Sequence, residues 1–177
     1  HLYSGKKLIN FEVPDSREGW AKAIEVMETL AFEGAHRDSV LILDFSKVRP
    51  KGSPIAGMQN RPASGPGPLI AAINNVIKVR DAGMPKWRQA MYVDHYLAEC
   101  VLVGGARRAA RMSTKHWTDK TVLDFISVKR GGFLWSSNNS VTVDQSFWDN
   151  VRDYIELPKK GLAVNDTMDW AFQVFRE

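Results

Sequence analysis

One cysteine, Cys100, stands in the 177 residues, which excludes an intramolecular disulfide and a redox-active thiol pair within the chain. A reducing compartment, the cytoplasm, is the expectation. Long apolar runs are also missing. No stretch reaches the length of a membrane span, and the opening HLYSGKK lacks the basic start and apolar centre of a signal peptide. The chain contains no GxGxxG, no GxxxxGK[ST] and no nucleophile elbow. Histidine is scarce: His36, His95 and His116 lie far apart without carboxylates at ligand spacing, and His1 is terminal, so no metal is expected. Charge is only mildly one-sided, at +4 with a pI near 9.2. Dedicated nucleic-acid modules carry a denser basic stripe, so nucleic acid is not the expected partner. Nucleotide phosphates suffice to account for this much positive charge.

What is present is ordinary globular material, 44% apolar and 25% charged. A chain of this length suits a single domain that buries about 70% of its unfolded surface. LINFEV (8–13) alternates like a strand, and Asp15 with Glu18 reads as a capping box ahead of a helix striped by Trp20, Ala23, Ile24, Met27, Leu30 and Ala31. SVLILDF (39–45) reads as a buried strand of a parallel sheet. Residues 46–69 hold five prolines and several glycines, which predicts a long irregular loop, a feature that is usually functional. Two helices are predicted next, ending at Gly83 and near Val103. A further helix is capped by Thr118 and runs to about Arg130, a polar SSNN turn leads into the strand SVTVD, and two amphipathic helices finish the chain. Alternating strands and helices predict an α/β architecture with parallel strands and flanking helices. The few strands, and a first residue that is His rather than Met, point to a piece of a longer protein.

Two segments concentrate chemistry. Gly104 and Gly105 permit close approach of backbone to a ligand, and Arg107, Arg108 and Arg111 offer forked donors for phosphate or carboxylate, unless they are only a helix C-cap followed by solvated arginines. Lys47, Arg49, Lys51 and Arg61 repeat that chemistry in the proline-rich loop. Asp15, at a strand-to-helix turn, can either cap the helix or accept hydrogen bonds from ligand hydroxyls, and sugar hydroxyls are the compatible partner. Cys100 falls on an apolar helix, where a buried structural thiol is expected.

Taken together, PDSREGW (14–20), DFSKVRPKGSPIAG (44–57), ASGPGPL (63–69), VGGARRAA (103–110) and SSNNSV (136–141) resemble the monomeric, adenosylcobalamin-dependent (class II) ribonucleoside-triphosphate reductases. The resemblance implies part of a ten-stranded α/β barrel, mainly its first half, within residues 1–177. It also implies that Asp15, Ser16 and Arg17 belong to the allosteric specificity site for a deoxynucleoside triphosphate. Lys47, Arg49 and Lys51 would form the first specificity loop, and Gly104, Gly105, Arg107, Arg108 and Arg111 the second, between effector and substrate base. Adenosylcobalamin would serve the complete enzyme rather than this piece, and the implied partners are nucleoside triphosphates and the remainder of the reductase, with no membrane. In related enzymes a partner subunit or an inserted segment completes the effector site.

One departure is sharp. The family carries a Cys-x-Glu loop for its thiyl radical and a redox-active cysteine pair, and this chain has neither, since Cys100 is followed by Val101 and Leu102. No catalytic residue is therefore expected here, and the chain alone should be inactive. Three readings result: the effector-binding part of a reductase, a nucleotide-binding module that acts alone, and, from charge only, a nucleic-acid-binding protein.

Overall fold

The computed structural model describes residues 5–101 and 111–177. They divide into two compact units, residues 5–81 with 99–101, and residues 82–98 with 111–177.

In the first unit, strand β1 (Lys7–Glu12) pairs in parallel with β2 (Ser39–Asp44), Lys7 opposite Ser39 and Glu12 opposite Asp44. The crossover between them is helix α1 (Arg17–Phe32), which buries Ala23 and Met27 of the predicted stripe and leaves Ala31 exposed. β2 corrects an expectation. Its apolar run predicts a fully buried strand, yet Ile42 is 39% exposed and the other apolar residues are only half-buried, because β1 and β2 form a two-stranded sheet.

The proline-rich segment is corrected as well, since it is not structureless. β3 (Pro54–Ile55) pairs antiparallel with β4 (Arg61–Pro62), and a 3-10 turn over Ala56–Met58 joins them. Gly52 N–H donates to the Ala63 carbonyl at 2.8 Å and Ala63 N–H to the Ser53 carbonyl at 2.7 Å, so the loop closes on itself through its backbone. Val48 and Ala63 are buried inside it. Gly65, at φ +70°, presses on the far side of the clip, where a Cβ would stand 2.9 Å from the Lys51 nitrogen. Helix α2 (Gly67–Asp81) follows, burying Leu69, Ala72, Ile73, Val76 and Val79. Its Arg80 reaches both carboxylate oxygens of Glu28 on α1, at 2.8 and 3.3 Å.

Helix α3 (Lys86–Val101) contributes its residues up to Ala98 to the second unit. There β5 (Arg111–His116) pairs in parallel with β6 (Ser137–Thr142), with α4 (Val122–Ser127) as the crossover. Two sequence expectations change. Thr118 does not cap α4, because the Asp119 carboxylate captures the N–H and hydroxyl of Thr121 at 2.8 and 2.6 Å and uses residues 118–121 as a turn. The SSNN stretch is not a turn outside the strand. Ser137, Asn138 and Asn139 lie within β6, and the buried polar groups are provided for: Asn139 donates to the Phe125 carbonyl at 3.2 Å and Ser137 to Asn139 at 2.8 Å.

Helices α5 (Gln145–Glu156) and α6 (Asp166–Arg176) end the chain as predicted, capped by Asp144 and Asn165. Trp117, Val122, Phe147, Val151, Ala171 and Val174 form the larger core of this unit, and Met91, Phe125 and Leu134 a second. No helix among the described residues is long and apolar enough to cross a membrane.

Candidate functional site

The turn between β1 and α1 is where the expected site residues begin. Val13, just past the strand, is fully buried, its N–H held by the Asp44 carbonyl at 2.8 Å, and this fixes the chain as it leaves the sheet. Ser16, extended at φ −150° and ψ 163°, is the N-cap: its hydroxyl accepts from Gly19 N–H at 2.9 Å. The expectation that Asp15 caps the helix is therefore corrected. Ser16 supplies the acceptor one residue nearer the helix, and the Asp15 carboxylate is left to face the loop.

Gly19 allows this geometry. A Cβ there would lie 2.5 Å from the Pro14 carbonyl oxygen and 2.7 Å from the Pro14 Cβ. The first turn of α1 and the Pro14–Ser16 corner can approach this closely only because residue 19 has no side chain.

Across from the turn, Arg49 donates from Nε to Asp15 Oδ2 at 2.6 Å, a charge-assisted contact between segments 34 residues apart. Nη1 of the same guanidinium points at the Pro54 carbonyl at 3.5 Å, which ties it to the backbone clip of its own loop. Lys47 and Lys51 flank it, both exposed, and Arg17 opens α1, also exposed. Arg61 lies on β4, exposed. At the end of β2, Asp44 is held below the usual carboxylate range, first by the backbone N–H of Ser46, then by the Ser46 hydroxyl, and to a smaller extent by the Lys47 charge. The corner thus presents an acidic side chain at a helix start in contact with Arg49, on a hydrogen-bonded loop that also carries the exposed Lys47 and Lys51. Such a set suits a ligand with hydroxyls at one end and negative charge at the other.

Of the second set of expected residues, Gly104, Gly105, Arg107 and Arg108 lie outside the described residues. Arg111 opens β5 in the second unit, where its Nε stands 4.0 Å from Asp94 Oδ1 with both side chains about half exposed. The structure therefore brings Asp15 and Arg49 together, with Ser16 as the adjoining cap.

A cleft of about 420 Å3 in the first unit lies elsewhere, between α1, β2 and Ile77 of α2. No expected site residue lines it, and its His36 is engaged by Glu33 at 3.0 Å. His95 is buried beside Ser136 at 2.9 Å, and His116 contacts Thr118 at 2.8 Å. Among the described residues no three potential metal ligands cluster. Cys100 is buried, as expected, and burial raises its thiol to about 11, so the reactive thiolate is suppressed.

Sequence reasoning missed two elements of this site: the steric requirement at Gly19 and the backbone clip that carries Arg49. A glycine inside a predicted first helical turn just after Pro14 was the available signal for the first. Nothing in the period of the proline-rich stretch announces strands of two residues each.

Known proteins supply the frame. Residues 1–80 match the family described as B12-dependent ribonucleotide reductase, insertion domain. The adenosylcobalamin-dependent ribonucleoside-triphosphate reductase of Lactobacillus delbrueckii subsp. bulgaricus is 36% identical over 149 residues, covering 78% of this chain and 20% of that protein. A Mycobacterium phage D29 protein is 36% identical over 154 residues, 78% of this chain and 22% of its own length. A crystal structure of a B12-dependent (class II) ribonucleotide reductase superposes with a TM-score of 0.66 at 30% identity, over 85% of this chain and 21% of that one. The chain thus spans about a fifth of the length of these relatives.

Proposed function

Because the chain belongs to the family of adenosylcobalamin-dependent, class II ribonucleotide reductases, we propose that it is the effector-binding part of such an enzyme. In this reading Asp15, Ser16, Arg17, Lys47, Arg49 and Lys51 hold a deoxynucleoside triphosphate. Asp15 accepts from the sugar hydroxyl, and the loop cations meet the phosphates. Gly104, Gly105, Arg107, Arg108 and Arg111 pass the identity of that nucleotide to the substrate base. The observation that carries the reading is the Asp15–Arg49 contact, which joins the strand-to-helix corner to the cationic loop in one place.

The radical chemistry belongs to polypeptide outside these residues. Abstracting a ribose hydrogen needs a thiyl radical and the reduction needs two further thiols, whereas this chain has one cysteine, buried and with a raised pKa. Adenosylcobalamin supplies the radical initiation in the complete enzyme. In this reading the adenosylcobalamin site belongs to the rest of the enzyme.

Calorimetric titration of the chain with the four deoxynucleoside triphosphates, with the matching deoxynucleosides as controls, tests this reading. Triphosphates should bind with only a shallow salt dependence, which separates a pocket from a duplex-binding surface whose affinity collapses as salt rises. Arg107→Ala should weaken binding by about 1.5–3 kcal/mol if the second loop reaches the ligand. Incubation with adenosylcobalamin, a dithiol and each ribonucleoside triphosphate should yield no deoxynucleotide. Absence of triphosphate binding would overturn the assignment, and deoxynucleotide formed in that incubation would overturn the division of labour.

A further inference from the structure

The Asp15–Arg49 pair serves the proposed nucleotide site in a second way. Of the loop cations Lys47, Arg49, Lys51 and Arg61, Arg49 alone takes part in one of the described ion pairs; the other three are exposed. The guanidinium nitrogen nearest the carboxylate sits at 2.6 Å, and the two side chains are 38% and 30% exposed, so an incoming anion can reach both. Lys51, and Lys47 with only a longer-range pull on Asp44, are open to an anion, whereas Arg49 already holds one in direct contact.

We propose that Asp15 is an internal competitor for Arg49: it occupies the guanidinium when the site is empty, and a polyphosphate must displace it. This rests on the nucleotide-binding reading and adds its regulation. The exchange is balanced. Phosphate oxygens replace Asp15 Oδ2 as the acceptor of the Arg49 N–H, and the released carboxylate becomes free to accept from a sugar hydroxyl. A ligand with both groups compensates the carboxylate it displaces, whereas one carrying phosphates alone leaves it unpartnered. The pair thus sets a preference for phosphates attached to a hydroxylated sugar over free polyphosphate.

The neighbouring charges make the idea separable from simple electrostatics. Glu18, exposed one residue into the first turn of α1, carries the same charge as Asp15 but forms none of the described ion pairs. Removing either charge raises the local potential equally in kind, and only removal of Asp15 frees Arg49.

The test uses the 177-residue chain and its Asp15→Asn and Glu18→Gln variants, titrated with inorganic tripolyphosphate and with deoxynucleoside triphosphates. Circular dichroism establishes that each variant keeps the fold. Asp15→Asn should tighten tripolyphosphate binding about two- to fivefold, the range for release of an exposed ion pair, and Glu18→Gln should tighten it by less. For the nucleotides the gain should shrink or reverse, because the sugar loses its carboxylate. Equal tightening by both variants, or no tightening by Asp15→Asn, overturns the competitor while wild-type nucleotide binding leaves the site assignment standing. Failure of the wild-type chain and both variants to bind either ligand overturns both.

Discussion

Gly19→Ala offers a clean contest between local propensity and tertiary geometry. Replacing glycine by alanine in a helix ordinarily stabilises by about 0.5–1 kcal/mol, because alanine has less backbone entropy to lose. At Gly19 the added methyl would stand 2.5 Å from the Pro14 carbonyl oxygen and 2.7 Å from the Pro14 Cβ, and the oxygen is backbone that cannot swing aside. Overpacking of this kind costs about 1–3 kcal/mol, and a clash with main chain belongs at the upper end. The net expectation is a loss of about 2 kcal/mol, or a fall in melting temperature of about 4–8 °C for a chain of this size. Thermal unfolding followed by circular dichroism measures it directly. Gly67→Ala is the matched control, since Gly67 opens α2 and a Cβ there meets nothing within 4 Å. That substitution should be neutral or stabilising. Equal melting temperatures for the two variants, or a Gly19→Ala protein at least as stable as the parent, would refute the claim that the Pro14–Ser16 corner is seated on the bare face of residue 19.

Ser16→Ala removes the hydroxyl that accepts from Gly19 N–H and should destabilise by about 1 kcal/mol in urea unfolding, whereas Asp15→Ala should leave the helix start intact. Cys100 should resist alkylation: with its thiol raised to about 11, the thiolate fraction at pH 8 is about two orders of magnitude below that of a free cysteine, so iodoacetamide labelling should be slow until the chain unfolds. Acid should weaken the second unit. Asp144 is held below its ordinary pKa first by Phe147 N–H, then by Trp117 and the His116 charge, and Asp119 likewise by the Thr121 hydroxyl and N–H. A depressed carboxylate contributes stability that is present above about pH 4 and lost as pH falls through its folded pKa. Asp144→Asn should accordingly flatten the acid side of the stability curve measured by denaturant titration.

The parallel α/β plan was legible because its signals are periodic: LINFEV and SVLILDF read as strands, and the stripes through Phe147 and Val151 and through Ala171 place two helices correctly. The joins between elements were less legible. A capping box at Asp15 and Glu18 is a local rule, but the carboxylate has a better partner in Arg49, 34 residues away, and Ser16 takes over the cap. SSNN reads as a turn by composition, yet Asn139 finds the Phe125 carbonyl and the strand tolerates it. Strands of two residues in the proline-rich loop are held by backbone bonds such as Gly52 to Ala63, which leave no mark on hydrophobic periodicity. Of the candidate site, the pairing of an acidic corner with a basic loop came from resemblance to a family, and the contact itself could come only from the fold.

The central claim is that Arg49 and the corner it touches bind a nucleotide, and calorimetry on Arg49→Gln tests it most directly. Against the deoxynucleoside triphosphate that wild type binds best, the variant should lose about 1.5–3 kcal/mol, roughly ten- to 150-fold in affinity, while Arg152→Gln, on the exposed face of α5, should match wild type. Undiminished binding by Arg49→Gln, or an equal loss in both variants, would contradict the account.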